Sequence, residues 1–129
     1  VQIVVGTEVR EAIDAIAKSL FYAQRETWVG KVGTHFLYHR DLAIAVLVLN
    51  IIIYAIMRRL YKGSKEQMFV ANAVVIVLLI QLLTGVLLAN FALPPYAQAM
   101  HILFSTMLFG LQYYLYLLVY KTGSFNQMN

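Results

Sequence analysis

Two histidines are the residues of this chain with the most chemistry to offer. His39, followed by Arg40 and Asp41, opens one long apolar stretch, and His101, a little beyond Pro94-Pro95, opens another. Imidazole is a standard axial ligand of haem iron, and sites in helical bundles are built from side chains on facing helices. Two histidines on separate helices at one depth therefore fit bis-histidine ligation of a haem. The plainer alternative is an interfacial histidine that touches a headgroup or a loop. His35 lies one turn before His39, outside the apolar run, and reads as a loop residue; contact with a propionate or alternative ligation is its other option. Arg10 and Arg40 are candidates for haem propionates, because the planar guanidinium matches a carboxylate. Snorkelling, or pairing with Glu8 or Asp41, accounts for them equally well.

Little else in the chain competes. Cysteine is absent, which excludes disulfides, thiolate metal sites and covalent haem attachment through CxxCH. There is no nucleophile–base pair, no phosphate loop and no pair of carboxylates within an apolar run. All six acidic residues lie outside those runs, so a proton channel has no relay. Tyr113, Tyr114, Tyr116 and Tyr120 read as packing and interface rather than as a radical chain.

The elements that must position the histidines are membrane helices. Of 129 residues, 61% are hydrophobic and only 12% charged, too few to coat a soluble surface, where about 25% is usual. The apolar runs extend over 42–57 (reaching back to Phe36), 68–93 and 97–120. A hydrocarbon core of about 30 Å takes roughly 20 helical residues, and backbone in lipid must satisfy itself. The expected helices are 36–59, 67–91 and 96–120, with an amphipathic helix over 1–19. The net charge of +4 comes from Lys and Arg between and at the ends of apolar runs, and nucleic acid is not an expected partner.

Orientation follows from the loops. Arg58, Arg59, Lys62 and Lys65 cluster between the first two runs and Lys121 closes the third, which places both on the cytoplasmic side. Phe91-Ala-Leu-Pro-Pro-Tyr96 is then an outer turn, and His39 and His101 share the outer ends of their helices. Residues 18–38 read as an outer loop, with Trp28, Phe21, Tyr22 and Tyr38 as an aromatic belt and Gly30 and Gly33 as a turn. Gln81 and Asn50 lie mid-membrane and fit interhelical hydrogen bonds. Small residues, among them Ala43, Gly85, Ala89, Ala99 and Ser105, leave room for a flat macrocycle. The short apolar start and the missing initiator Met fit a first helix truncated partway through a fourth span. An internal echo accompanies this layout: Gln2-Ile-Val-Val-Gly6 and Gln81-Leu-Leu-Thr-Gly85 share a QxxxG spacing, each followed by a helix that opens with a histidine. The echo favours two pseudo-symmetric helical hairpins.

Gln2-Ile-Val-Val-Gly-Thr-Glu-Val-Arg-Glu-Ala-Ile-Asp14, His39-Arg40, Gln81-Leu-Leu-Thr-Gly85 and Leu93-Pro94 before His101 together resemble the heme A synthase family. The order and spacing cover nearly the whole chain. The likeness is to the C-terminal four-helix half of such proteins from Bacteroidetes-like bacteria, which carry a similar GTxVRxxID segment. It implies an all-α transmembrane four-helix bundle, half of a pseudo-symmetric eight-helix protein in the bacterial inner membrane. That family oxidises a methyl group of heme O to the formyl of heme A, needed by aa3-type cytochrome oxidases. In its catalytic half a Glu stands three residues before the HR histidine; here that position is Phe36. The resemblance therefore implies the other half, a haem b site with an electron-transfer or structural role, His39 and His101 as iron ligands, and no catalytic residue of its own. Implied partners are the lipid bilayer, an N-terminal half or sister subunit, and a respiratory oxidase complex. A cytochrome b-like carrier and a haem-free accessory subunit are the rival readings.

Overall fold

The computed structural model describes residues 1–126, and these are helical with short connectors. Helix α1 spans Gln2–Ser19, a 3-10 turn covers Arg25–Thr27, and α2 is the short Trp28–Lys31. Three long helices follow, α3 at Thr34–Leu60, α4 at Lys65–Asn90 and α5 at Pro95–Asn126. Helices α3 and α4, and α5 as far as Lys121, are each long and apolar enough to cross a membrane. Pro95 opens α5, where its fixed φ and missing N–H cost nothing.

The outward faces carry Ile44, Val48, Ile51, Ile52 and Ile56 on α3 and Phe69, Ile76, Leu79 and Leu83 on α4, all exposed. Such a surface is unfavourable in water and is what lipid tails accept. The inward stripe is equally regular. Met57 packs with Val70, Ala71, Val74, Val77 and Leu78 of α4 and with Leu108 and Leu115 of α5, the i, i+3, i+4 spacing of a helix face. Helix α1 lies against α3 and α4 against α5, and the two hairpins meet chiefly along α3 and α4.

Residues 18–38, expected as a loop, are largely helical. Helix α1 continues through Ser19, and α3 begins at Thr34, so His35 sits in its first turn rather than in a connector. Hydropathy marks where a helix enters an apolar environment, not where its hydrogen bonds begin. Gly33, at φ +66°, makes the sharp bend between α2 and α3, a conformation glycine adopts without Cβ strain.

The ends of α1 and α4 turn alike. Phe21 and Tyr22 follow α1, and Ala92 and Leu93 follow α4, all four with φ between 48° and 60°. Left-handed backbone costs a residue with a Cβ roughly 1–2 kcal/mol, so something must hold these turns. Buried Trp28, Ala17 and Leu93 form a second small core. The Trp28 indole N–H donates to the Ala23 carbonyl at 2.9 Å. The Leu93 carbonyl accepts from Arg25 and from the Gln98 amide. Arg25 thereby ties the connector of the first hairpin to the turn of the second.

Away from the histidines, a polar contact joins α3 to α5. Asn50, only 4% exposed, donates to the Val46 carbonyl at 2.8 Å and accepts from the Gln112 amide at 2.9 Å. Interhelical hydrogen bonds in membranes contribute about 0.6 kcal/mol on average and up to about 2. A double-mutant cycle on Asn50→Leu and Gln112→Leu, followed by denaturant unfolding in detergent, should return a coupling energy in that range. Strictly additive effects would show that the pair does not act as a unit.

Candidate functional site

The site is assembled by the two hairpins, one histidine from each. His39 lies in the second turn of α3 and His101 in the second turn of α5. Their ring centroids are 6.4 Å apart with the planes inclined by 67°. Asn50 and Gln112 stand on the same two helices, each about three turns further on, so the histidines and the polar clamp mark two levels of one seam.

Each imidazole is backed by a glycine of the preceding helix in its own hairpin. A Cβ placed on Gly6 would lie 3.3 Å from His39 Cε1, and one on Gly85 would lie 3.3 Å from His101 Cε1. The glycines thus bring α1 onto α3 and α4 onto α5 at the histidines. The room expected at Gly85 for a macrocycle is filled by the imidazole itself.

Each glycine has a glutamine four residues before it. The Gln2 amide donates to the His39 carbonyl at 3.0 Å and lies 3.4 Å from His39 Nδ1. The Gln81 amide nitrogen lies 3.1 Å from His101 Nε2, and Thr84 Oγ1 lies 3.0 Å from His101 Nδ1. The carbonyl oxygens Oε1 of both glutamines are buried without a partner. An unsatisfied buried acceptor costs about 1–3 kcal/mol, so each Oε1 is a place where a hydrogen-bond donor such as an ordered water would bind.

The other expected site residues are near but engaged elsewhere. Arg40 pairs with Asp41 at 2.9 Å. Arg10 pairs with Asp14 at 3.3 Å rather than with Glu8, as the i, i+4 spacing of one helix allows. Glu8 faces His35 instead, at 4.0 Å. All of these side chains are more than half exposed, where re-pairing with another carboxylate costs little.

The donor set limits what the site could hold. No cluster of three or more His, Cys, Asp or Glu that could hold a metal ion exists among the described residues. A group that brings its own ligands, as a porphyrin brings four nitrogens, needs only two more. The imidazoles of His39 and His101, one from each hairpin, are the pair that would supply them. A metal at His101 Nε2 would take the place of the Gln81 amide, while Nδ1 keeps its contact with Thr84.

The QxxxG echo pointed to Gln2, Gly6, Gln81 and Gly85 as a repeat but not to what each does. In the sequence Thr84 is one polar residue within an apolar run. Its signal was its position, three residues after Gln81 and facing the helix that carries His101.

A family model described as COX15-CtaA, cytochrome oxidase assembly protein, matches residues 1–113. No curated protein and no solved structure matches the chain.

The glycine contacts carry a signed prediction. Ala in place of Gly gains roughly 0.8–1 kcal/mol of helix propensity, whereas overpacking costs about 1–3. Gly6→Ala and Gly85→Ala should each lower stability in detergent. Gly110→Ala, on α5 with nothing within 4 Å of the added Cβ, should raise it by about 1 kcal/mol. Equal thermal shifts at all three would refute the cradle.

Proposed function

The chain belongs to the COX15-CtaA family of cytochrome oxidase assembly proteins, and we propose that it is the haem b-binding half of a heme A synthase-like membrane oxidoreductase. The observation that carries this reading is the facing pair of imidazoles, one from each hairpin, 6.4 Å between centroids. In this reading His39 and His101 would hold the iron, and the glycines behind them set how far each ring can retreat. Arg10 and Arg40, at the histidine end, exchange Asp14 and Asp41 for the propionates. A bound haem b supplies one-electron redox chemistry at the iron.

The role of this half is electron transfer or structure, because Phe36 stands where the family's catalytic half carries a Glu. Oxidation of the heme O methyl then belongs to an N-terminal half or sister subunit, and the product serves an aa3-type oxidase. The apolar faces fit a multi-pass protein of the bacterial inner membrane. The cluster Arg58, Arg59, Lys62 and Lys65 faces the cytoplasm and the histidines lie toward the outer surface.

A reduced-minus-oxidised optical spectrum of the purified protein tests the ligand assignment. A b-type α-band should be present in the parent and be lost in the His39→Ala, His101→Ala double variant. An α-band that survives both substitutions would falsify the pair as ligands. Cofactor extraction from cells lacking the full-length protein tests the pathway, and undiminished heme A would exclude a role in its synthesis.

A further inference from the structure

The two histidines are held differently. Aligning the repeats puts Gln2 with Gln81 and Gly6 with Gly85, and it puts Val5 opposite Thr84. The Thr84 hydroxyl donates to the Gln81 carbonyl at 2.9 Å. With its one hydrogen used there, its oxygen is left as an acceptor, and His101 Nδ1 lies 3.0 Å away. That arrangement assigns the proton to Nδ1 and leaves Nε2 a lone pair toward the Gln81 amide nitrogen at 3.1 Å. Which nitrogen of an imidazole is free to bind is set by the hydrogen bond the other one makes.

His39 has no such anchor. Among the described residues its Nδ1 has the Gln2 amide at 3.4 Å, a long contact made by the hydrogen left over when the other goes to the His39 carbonyl at 3.0 Å. Valine at the equivalent position has no hydrogen-bonding group to offer.

We infer that Thr84 is a positioning residue that fixes the tautomer and ring plane of His101, so that the two facing imidazoles are unequal by construction. A hydroxyl bonded back to its own helix is common, and Thr7, Ser105 and Thr106 do the same on exposed faces. Thr84 differs in being 7% exposed and in reaching an imidazole on another helix. An Nδ1–H that donates to a fixed acceptor makes the ring a more basic ligand, and removing such a partner commonly costs 10–100-fold in metal affinity. On the haem reading proposed above, His101 is then the firm ligand and His39 the yielding one.

The experiment uses the full chain labelled with 15N-histidine. Only three histidines are present, so imidazole nitrogen resonances can be assigned by substitution. In the haem-free parent, His101 should give a single Nδ1–H tautomer, and His39 a mixture. Thr84→Val should release His101 into a mixture, and Thr84→Ser should restore the parent spectrum. A parent His101 in the Nε2–H form, which needs no variant to detect, overturns the inference, as does a Thr84→Val protein that keeps the lock. Titration with hemin supplies the second readout. Thr84→Val should weaken uptake 10–100-fold and raise the midpoint potential, because a less basic imidazole stabilises oxidised iron less. Unchanged affinity and potential in Thr84→Val would overturn the unequal-ligand part. A parent that binds no hemin overturns the functional reading instead, and the tautomer measurement still decides the role of Thr84.

Discussion

Inside a bilayer a polar side chain has no water to fall back on, and the internal arrangement of this protein follows from that constraint. Polar groups on the inward faces must find partners within the bundle or pay for their absence. Asn50 meets Gln112, Gln81 and Thr84 meet His101, and Gln2 meets His39. These contacts fix which faces of α1, α3, α4 and α5 point inward. The apolar stripe of α4 then fills the space between Met57 and Leu115. Lipid-facing isoleucines and leucines contribute little to this choice, since a hydrocarbon tail accepts any of their faces.

The hairpin is the repeating unit. Each brings a glycine against a histidine and closes its first helix with two successive left-handed residues, Phe21 and Tyr22 or Ala92 and Leu93. The repeats differ where they connect. The first needs a 3-10 turn and α2 between its helices, whereas the second turns through Pro94 and Pro95. Trp28 and Arg25 on the longer connector fold over and grip Leu93 of the shorter one. The end of the bundle that carries the histidines is therefore tied across both hairpins. The opposite end rests on the packing of Met57 with α4 and on the Tyr114 hydroxyl, which donates to Glu66, with the Asn50–Gln112 bond midway between the two ends.

The long helices were legible in the sequence because hydropathy and the length of a membrane span leave one solution. The pairing of His39 with His101 was legible from topology, as was the use of Gln81 and Asn50 between helices. The connector at residues 18–38 was not, because a four-residue helix such as α2 is stabilised by tertiary contacts of Trp28 and not by any periodicity of its own. Arg10 also went to another partner. Glu8 is near in sequence, but on a helix the residue four positions on, Asp14, lies on the same face. Thr84 was invisible for a further reason: its role depends on a ring contributed by a different helix, and spacing within one helix does not reveal what lies across from it.

The pseudo-symmetry of the two hairpins has an evolutionary side. A hairpin with glutamine, glycine and histidine in these places is self-complementary. Two identical copies around a two-fold axis would bring two identical imidazoles together, as any isologous interface duplicates its contacts. A homodimer of that kind could never make its two histidines differ, because every substitution would appear twice. Carrying both hairpins on one polypeptide lifts that restriction. Val5 and Thr84 hold equivalent places with different chemistry, so the two imidazoles need not have the same surroundings.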